Sequence, residues 1–243
     1  MAQNIYDDPQ FFAGYSQLRR SVDGLAGAPE WPALQALLPS LKGARVVDLG
    51  CGFGWFCRWA AEAGAAEVLG LDLSARMLAR AAELTDDGRI TYRVADLETL
   101  DLPQGAFDCA FSSLALHYVE DLRPLFASVH DALAPGSRFV FSIEHPIYMA
   151  PRSPGWSLGV DGQRTWPVDS YQAEGPRRTN WLADGVVKHH RKLGTTLNLL
   201  IQAGFAIGHL DEFGPSPAQM AERPELAEER ERPMFALVAA ERL

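Results

Sequence analysis

Asp48, Gly50, Gly52 and Gly54 alternate along the stretch Val46-Val47-Asp48-Leu49-Gly50-Cys51-Gly52-Phe53-Gly54-Trp55-Phe56, the densest chemical signal in this 243-residue chain. The residues before the glycines have strand character, and the alanine-rich run Cys57 to Ala63 after them has good helix propensity. Strand, glycine turn and helix in that order make a nucleotide site. The turn falls at the carboxyl end of a parallel strand, where open sheets bind ligands, and glycines there let the backbone take positive φ and approach the ligand closely. Asp72 follows the next apolar run, Glu67 to Leu71, and stands 20 residues after Gly52, where an acidic side chain hydrogen-bonds ribose hydroxyls. Beyond Leu73, Ser74 is a good N-cap for a helix that turns Met77, Leu78 and Ala81 inward. A dinucleotide fingerprint needs a small residue where Trp55 stands, which weighs against an NAD-dependent oxidoreductase.

Other residues could act on a bound molecule. Tyr15 and Arg19, four apart on an expected helix, would offer a phenol and a guanidinium to the carboxylate of an amino acid; otherwise the segment's aromatics pack it onto the domain. Ser137 to Ile143 reads as a strand ending at Glu144-His145-Pro146, on the same rim as the glycine turn. His145 is therefore the best general-base candidate, with a structural histidine as the plain alternative, and His190 is the reserve. His117 either lines the site or caps the next helix. Residues 146–190 are dense in Pro, Gly, Trp and Tyr and read as a lid or substrate-binding segment, from which Tyr148, Trp181 and, just beyond it, Arg191 are candidate substrate contacts.

Taken together, the D-x-G-x-G-x-G run from Asp48 to Gly54, Asp72 and the Asp96 that follows the strand Ile90–Val94 resemble the motifs of the class I S-adenosylmethionine (SAM) dependent methyltransferases, from about residue 43 to the C-terminus apart from the insertion. The resemblance implies SAM as cofactor and S-adenosylhomocysteine as product. It assigns Asp48, Gly50, Gly52, Gly54, Asp72, Leu73 and Met77 to the cofactor site. Asp96 would accept the adenine amino group, and Leu97 would flank the ring. The strand 107–112, ending at Ser112, would face the methionine part, and an N-terminal helix carrying Tyr15 and Arg19 would close over the cofactor. The expected activity is methyl transfer to an oxygen, nitrogen or carbon nucleophile of a small molecule, with a SAM-binding protein lacking transfer activity as the other reading. The run Ser112 to Tyr118 is not an N-P-P-Y motif, which argues against adenine in DNA as acceptor.

Positioning these residues requires an α/β fold. We expect a Rossmann-like, seven-stranded, mostly parallel sheet with helices on both faces and an antiparallel hairpin at the C-terminus. The expected division is a helical cap (1–43), a SAM-binding core (44–145), the lid (146–190) and a last helix with two strands (191–243), all in one domain. The net charge of −9 makes nucleic acid an unlikely partner. No apolar run reaches membrane-spanning length and the first ten residues carry no signal-peptide pattern, so membrane partners are not expected and a cytoplasmic location is. Three cysteines without a C-x-x-C pair read as buried thiols, and no metal-ligand spacing appears. Monomer and homodimer stay open.

Overall fold

The computed structural model describes residues 3–243. Its centre is a seven-stranded sheet of β1 (Arg45–Leu49), β2 (Glu67–Asp72), β3 (Ile90–Val94), β4 (Phe107–Ser113), β5 (Leu133–Glu144), β10 (Phe205–Phe213) and β11 (Phe235–Arg242), in the order β10-β11-β5-β4-β1-β2-β3. β1 to β5 pair in parallel, and β11 runs antiparallel to both of its neighbours. This is the expected Rossmann-like fold. The central strands are apolar because both of their faces are covered. Val47 and Leu49 enter one hydrophobic layer with Phe126 and Phe139, and Val46 enters the other with Phe56 and Phe111, whose rings stack at 3.7 Å.

The helices are α1 (Pro9–Tyr15), α2 (Arg19–Val22), α3 (Trp31–Leu37), α4 (Trp55–Glu62), α5 (Ala75–Glu83), α6 (Leu122–Ala132), α7 (Pro146–Met149), α8 (Leu193–Gln202) and α9 (Pro217–Glu222). α4 follows β1 through the glycine turn, and α5 follows β2 with the Ser74 side chain accepting from Met77 N, as the cap pattern requires. The chain leaves β1 for β2 on one side, and β4 lies on the other. Ligands bind at such a reversal of strand order, beyond the carboxyl ends.

One expectation needs correction. Tyr15 and Arg19 do not share a helix. α1 ends at Tyr15, and α2 begins at Arg19 after a turn in which Gln17 N donates to Gly14 O and Leu18 N to Tyr15 O. The stretch 146–190, expected as a lid or substrate-binding segment, has secondary structure of its own. It holds α7 and two antiparallel hairpins, β6 (Ser157–Leu158) with β7 (Arg164–Thr165) and β8 (Gly175–Trp181) with β9 (Ala183–His190).

Candidate active site

Backbone hydrogen bonds define the glycine turn. Gly50 N and Cys51 N both donate to Leu71 O at 2.8 Å, and Gly52 N donates to Asp72 Oδ2 at 2.9 Å. Gly50, Gly52 and Gly54 all have positive φ, but for different neighbours. A Cβ on Gly50 would stand 2.3 Å from the Cβ of Ala115, and one on Gly54 would stand 2.1 Å from the Tyr92 hydroxyl oxygen. A Cβ on Gly52 would meet only Met77 Cε, at 3.4 Å. Gly54 is thus fixed by packing against β3, whereas Gly52 keeps open space clear.

That space is a cavity of about 800 Å³ over the carboxyl ends of the strands. Gly50, Gly52, Asp72 and Met77 lie along one wall; Tyr15, Arg19 and Arg20 approach from the N-terminal segment; and Tyr148, Trp156, Trp166 and Trp181 come from the insertion. Asp72 is held by backbone amides on both oxygens, from Gly52 at Oδ2 and from Ser74 at Oδ1. Burial nonetheless pushes its carboxyl up to about 6. Asp48 lies beneath the turn, where burial raises it to about 7 and the Cys57 thiol donates to its Oδ2 at 3.3 Å. The N-terminal segment is pinned above: the Ser74 hydroxyl donates to Asp7 Oδ1 at 2.5 Å, and Asn4 donates to Leu73 O.

Several expected residues lie elsewhere. Leu73, Asp96 and Leu97 stand on the adjoining rim at the ends of β2 and β3, outside the cavity wall, and Asp96 caps the 3₁₀ turn Leu97–Thr99 by accepting from Glu98 N at 3.0 Å. Ser112 is fully buried and donates to Leu49 O at 2.7 Å; its neighbour Ser113 lines the cavity. His145 is also turned away. Its Nδ1 accepts from Ile147 N at 3.1 Å as the cap of α7, its Nε2 bonds Glu212 Oε1 at 2.8 Å, and the residue before it, Glu144, lines the cavity. His190 is buried off the cavity, with Nε2 bonded to Tyr171 O at 2.9 Å. Arg191 ties the end of the insertion to the core by donating to the carbonyls of Val119 and Glu120. Neither candidate base reaches the cavity.

His117, Tyr148 and Trp181 do line it, together with residues that the sequence did not single out. Lys188, in the middle of β9, is hydrogen-bonded to Glu144, and its ammonium lies 4.7 Å from the centre of the Trp181 ring. The Tyr6 and Tyr118 hydroxyls are 3.3 Å apart. The Arg232 guanidinium rests 4.2 Å from the centre of the Trp166 ring and 4.6 Å from that of Tyr148. Thus residues 214–234, between β10 and β11, wall the cavity as the insertion does. Burial, with the charge of Lys188 next in weight, pushes the His117 imidazole far below its ordinary range, so the ring is neutral.

A profile of the methyltransferase domain family matches residues 47–141, from the glycine turn through β5. The crystal structure of an S-adenosylmethionine-dependent methyltransferase from Mesorhizobium loti is 66% identical, covers 90% of this chain and all of that one, and superposes with a TM-score of 0.88. The chain belongs to the S-adenosylmethionine-dependent methyltransferases. A further member, a putative methyltransferase of Listeria monocytogenes, is 37% identical over 89% of this chain and 99% of its own, with a TM-score of 0.81. The malonyl-[acyl-carrier protein] O-methyltransferase of Enterobacter lignolyticus is 37% identical over 124 residues, 51% of this chain and 45% of that protein. The methyltransferase therefore uses SAM, and the oxidoreductase and non-transferring readings are set aside. The residues present suit this cofactor: Gly52 leaves an unfilled approach beside Asp72, whose carboxylate is already oriented by two amides.

Proposed function

We propose that this methyltransferase transfers the methyl group of SAM to a nucleophilic atom of a small molecule held beneath the insertion. The carrying observation is that one continuous cavity runs from Gly50, Gly52 and Asp72 to the aromatic side chains of the insertion. A bound SAM supplies a sulfonium-activated methyl group, so the protein's task is to hold donor and acceptor in line. Asp72 takes the ribose hydroxyls. Gly50 and Gly52 let the cofactor lie against the turn, with Met77 below. Asp96 and Leu97 meet the adenine on the rim, and Tyr15 and Arg19 face the amino-acid end. Tyr148 and Trp181 bound the acceptor, whose alignment is worth about 7–11 kcal/mol.

An acceptor of small-molecule size suits this space, since pockets for such ligands span roughly 300–1,000 Å³. The net charge of −9 repels phosphate backbones, which favours a small acceptor over nucleic acid. Among the described residues no helix is long and apolar enough to cross a membrane. Incubation with methyl-labelled SAM and a deproteinised metabolite extract should label one or a few compounds of low mass. Label confined to protein or nucleic acid, when those are offered, would refute the proposal.

A further inference from the structure

We infer that the methyl acceptor is an oxygen nucleophile, a hydroxyl held between Glu144 and Lys188. This rests on the reading of the cavity as a small-molecule site. Glu144 ends β5 beside the glycine-turn rim, and Lys188 reaches it from β9, so core and insertion each supply one charge to the cavity wall. The two side chains are only 11% and 7% exposed. Lys188 Nζ donates to Glu144 Oε1. Among the described residues Glu144 Oε2 has no hydrogen-bond partner and is not sealed from solvent, and Glu144 is part of the cavity wall. His117 completes the group. Its Nδ1 accepts from Glu144 N at 3.4 Å, which leaves the proton of the neutral ring on Nε2, 3.9 Å from Glu144 Oε1. A buried ion pair is weak support for a fold, so its place in the wall of a cavity asks for a use.

Lone pairs decide which nucleophile fits. An atom between these groups must give a proton to Glu144 Oε2, accept a hydrogen bond from Lys188 Nζ and keep an electron pair for the methyl carbon. A hydroxyl oxygen has two pairs and does all three. A neutral amine has one pair, which the lysine would occupy. An ammonium would face the like charge of Lys188, and a carbon acid has no pair to accept with. In the balanced step, an oxygen pair forms the O–CH₃ bond and the hydroxyl proton passes to Glu144. The methyl–sulfur bond breaks with its pair left on sulfur, and the carboxyl later releases the proton to water. Glu144 is then the general base.

The probes are 4-ethylphenol and 4-ethylaniline, titrated calorimetrically into the protein saturated with S-adenosylhomocysteine. The phenol should bind at least about tenfold more tightly. That preference should vanish in Glu144→Gln and in Lys188→Met, while S-adenosylhomocysteine affinity stays within about threefold of wild type. The double variant leaves no unpaired charge and covers the case in which a single one fails to fold. With labelled SAM and 4-ethylphenol, the methyl should appear on oxygen and depend on Glu144. Equal or tighter aniline binding, or a preference that survives the substitutions, overturns the oxygen assignment alone. Binding of neither probe to the wild-type complex counts against the cavity as a small-molecule site, and with it this assignment.

Discussion

The rim built by β1, β2 and β4 and the roof built by residues 146–190 enclose one cavity, but they are held in different ways. The rim rests on the sheet. Val46, Val47, Leu49 and Leu71 are at most 1% exposed, and the glycine turn bonds to the strand next to it. The roof has little core of its own, and its β8 strand alternates between exposed and half-buried residues. Polar clamps fasten it instead: Lys188 on Glu144, Arg191 on the carbonyls of Val119 and Glu120, Trp156 on Glu228, and Arg232 over Tyr148 and Trp166. A rigid rim suits chemistry that never changes, the holding of SAM. A clamped roof can change its side chains without disturbing the sheet, so on the proposed reading it is the roof that selects the acceptor.

The largest expected effect breaks the rim and leaves the roof alone. Gly52→Val should lower S-adenosylhomocysteine affinity by more than about a thousandfold, about 4 kcal/mol, because the side chain fills the open approach and the left-handed backbone resists it. Gly54→Val is the contrast. Its Cβ collides with Tyr92, so it should lower the melting temperature first and affinity only as a consequence. Calorimetry beside thermal melts separates the two, and equal behaviour would mean that the turn is not at the ligand.

Next is the buried acid under the turn. The folded chain holds Asp48 at about 7, above the ordinary value near 3.9, so between roughly pH 4 and 7 it binds more protons than the unfolded chain. The sign follows: this group costs stability as pH rises through that window, on the order of 2–4 kcal/mol above it. Asp48→Asn should therefore raise the melting temperature at pH 8 and change it little at pH 4. A variant no more stable at pH 8 would show that the ionised carboxylate is compensated.

Asp72 tests the rim at its ligand face. Asp72→Ala removes a charged hydrogen-bond acceptor and should weaken S-adenosylhomocysteine binding by about 1.5–3 kcal/mol, roughly 10- to 150-fold. Wild-type affinity should also fall as pH drops below about 6, where this carboxyl takes up a proton. Unchanged affinity in the variant would remove Asp72 from the site.

The same contrast explains what could be read from the chain. The strands of the sheet and the turn were legible because their signals are local: β3 covers Ile90–Val94 as expected, and the glycine spacing marks the turn whose Gly50 and Gly52 line the cavity. Facing was lost where a strand is buried on both sides. The end of β5 is apolar without alternation, so nothing in it tells Glu144 from His145, and the same one-residue slip separates Ser113 from Ser112. The helix expected to carry Tyr15 and Arg19 together broke because a spacing of four does not report a turn between them. Lys188 and Arg232 were invisible because their partners, Glu144, Tyr148 and Trp166, lie 40 or more residues away in sequence.

Arg232 tests the roof. It is 4% exposed and holds the aromatic side chains of the insertion from the far side of the chain. Arg232→Ala should speed proteolysis within 150–170 several-fold, corresponding to about 1–2 kcal/mol of easier local opening, with S-adenosylhomocysteine affinity nearly unchanged. In the wild type a bound acceptor should slow the same cleavage. Equal cleavage in variant and wild type would mean that the roof does not depend on this contact.

The smallest effect concerns His145, the residue that the sequence favours as a base. The Nδ1 lone pair is taken by Ile147 N–H, so the neutral ring carries its proton on Nε2 and donates it to Glu212. No pair remains to accept a proton from a substrate, and the side chain is 2% exposed. Burial lowers its pKa, opposed in part by Glu212, so the folded chain resists protonating it. The linkage sign is therefore opposite to that of Asp48: this histidine costs stability as pH falls below about 6.5, where the unfolded chain takes up the proton. His145→Ala should cost about 1 kcal/mol at pH 8 through the lost cap of α7 and the lost Glu212 bond, and less at pH 5.5. His145→Asn should recover part of the loss, since asparagine can cap the same helix. Methyl transfer per folded molecule should stay near wild type in both variants, because rim, pair and roof are untouched. A hundredfold fall in turnover with stability intact would return His145 to the reaction and displace Glu144 as the base.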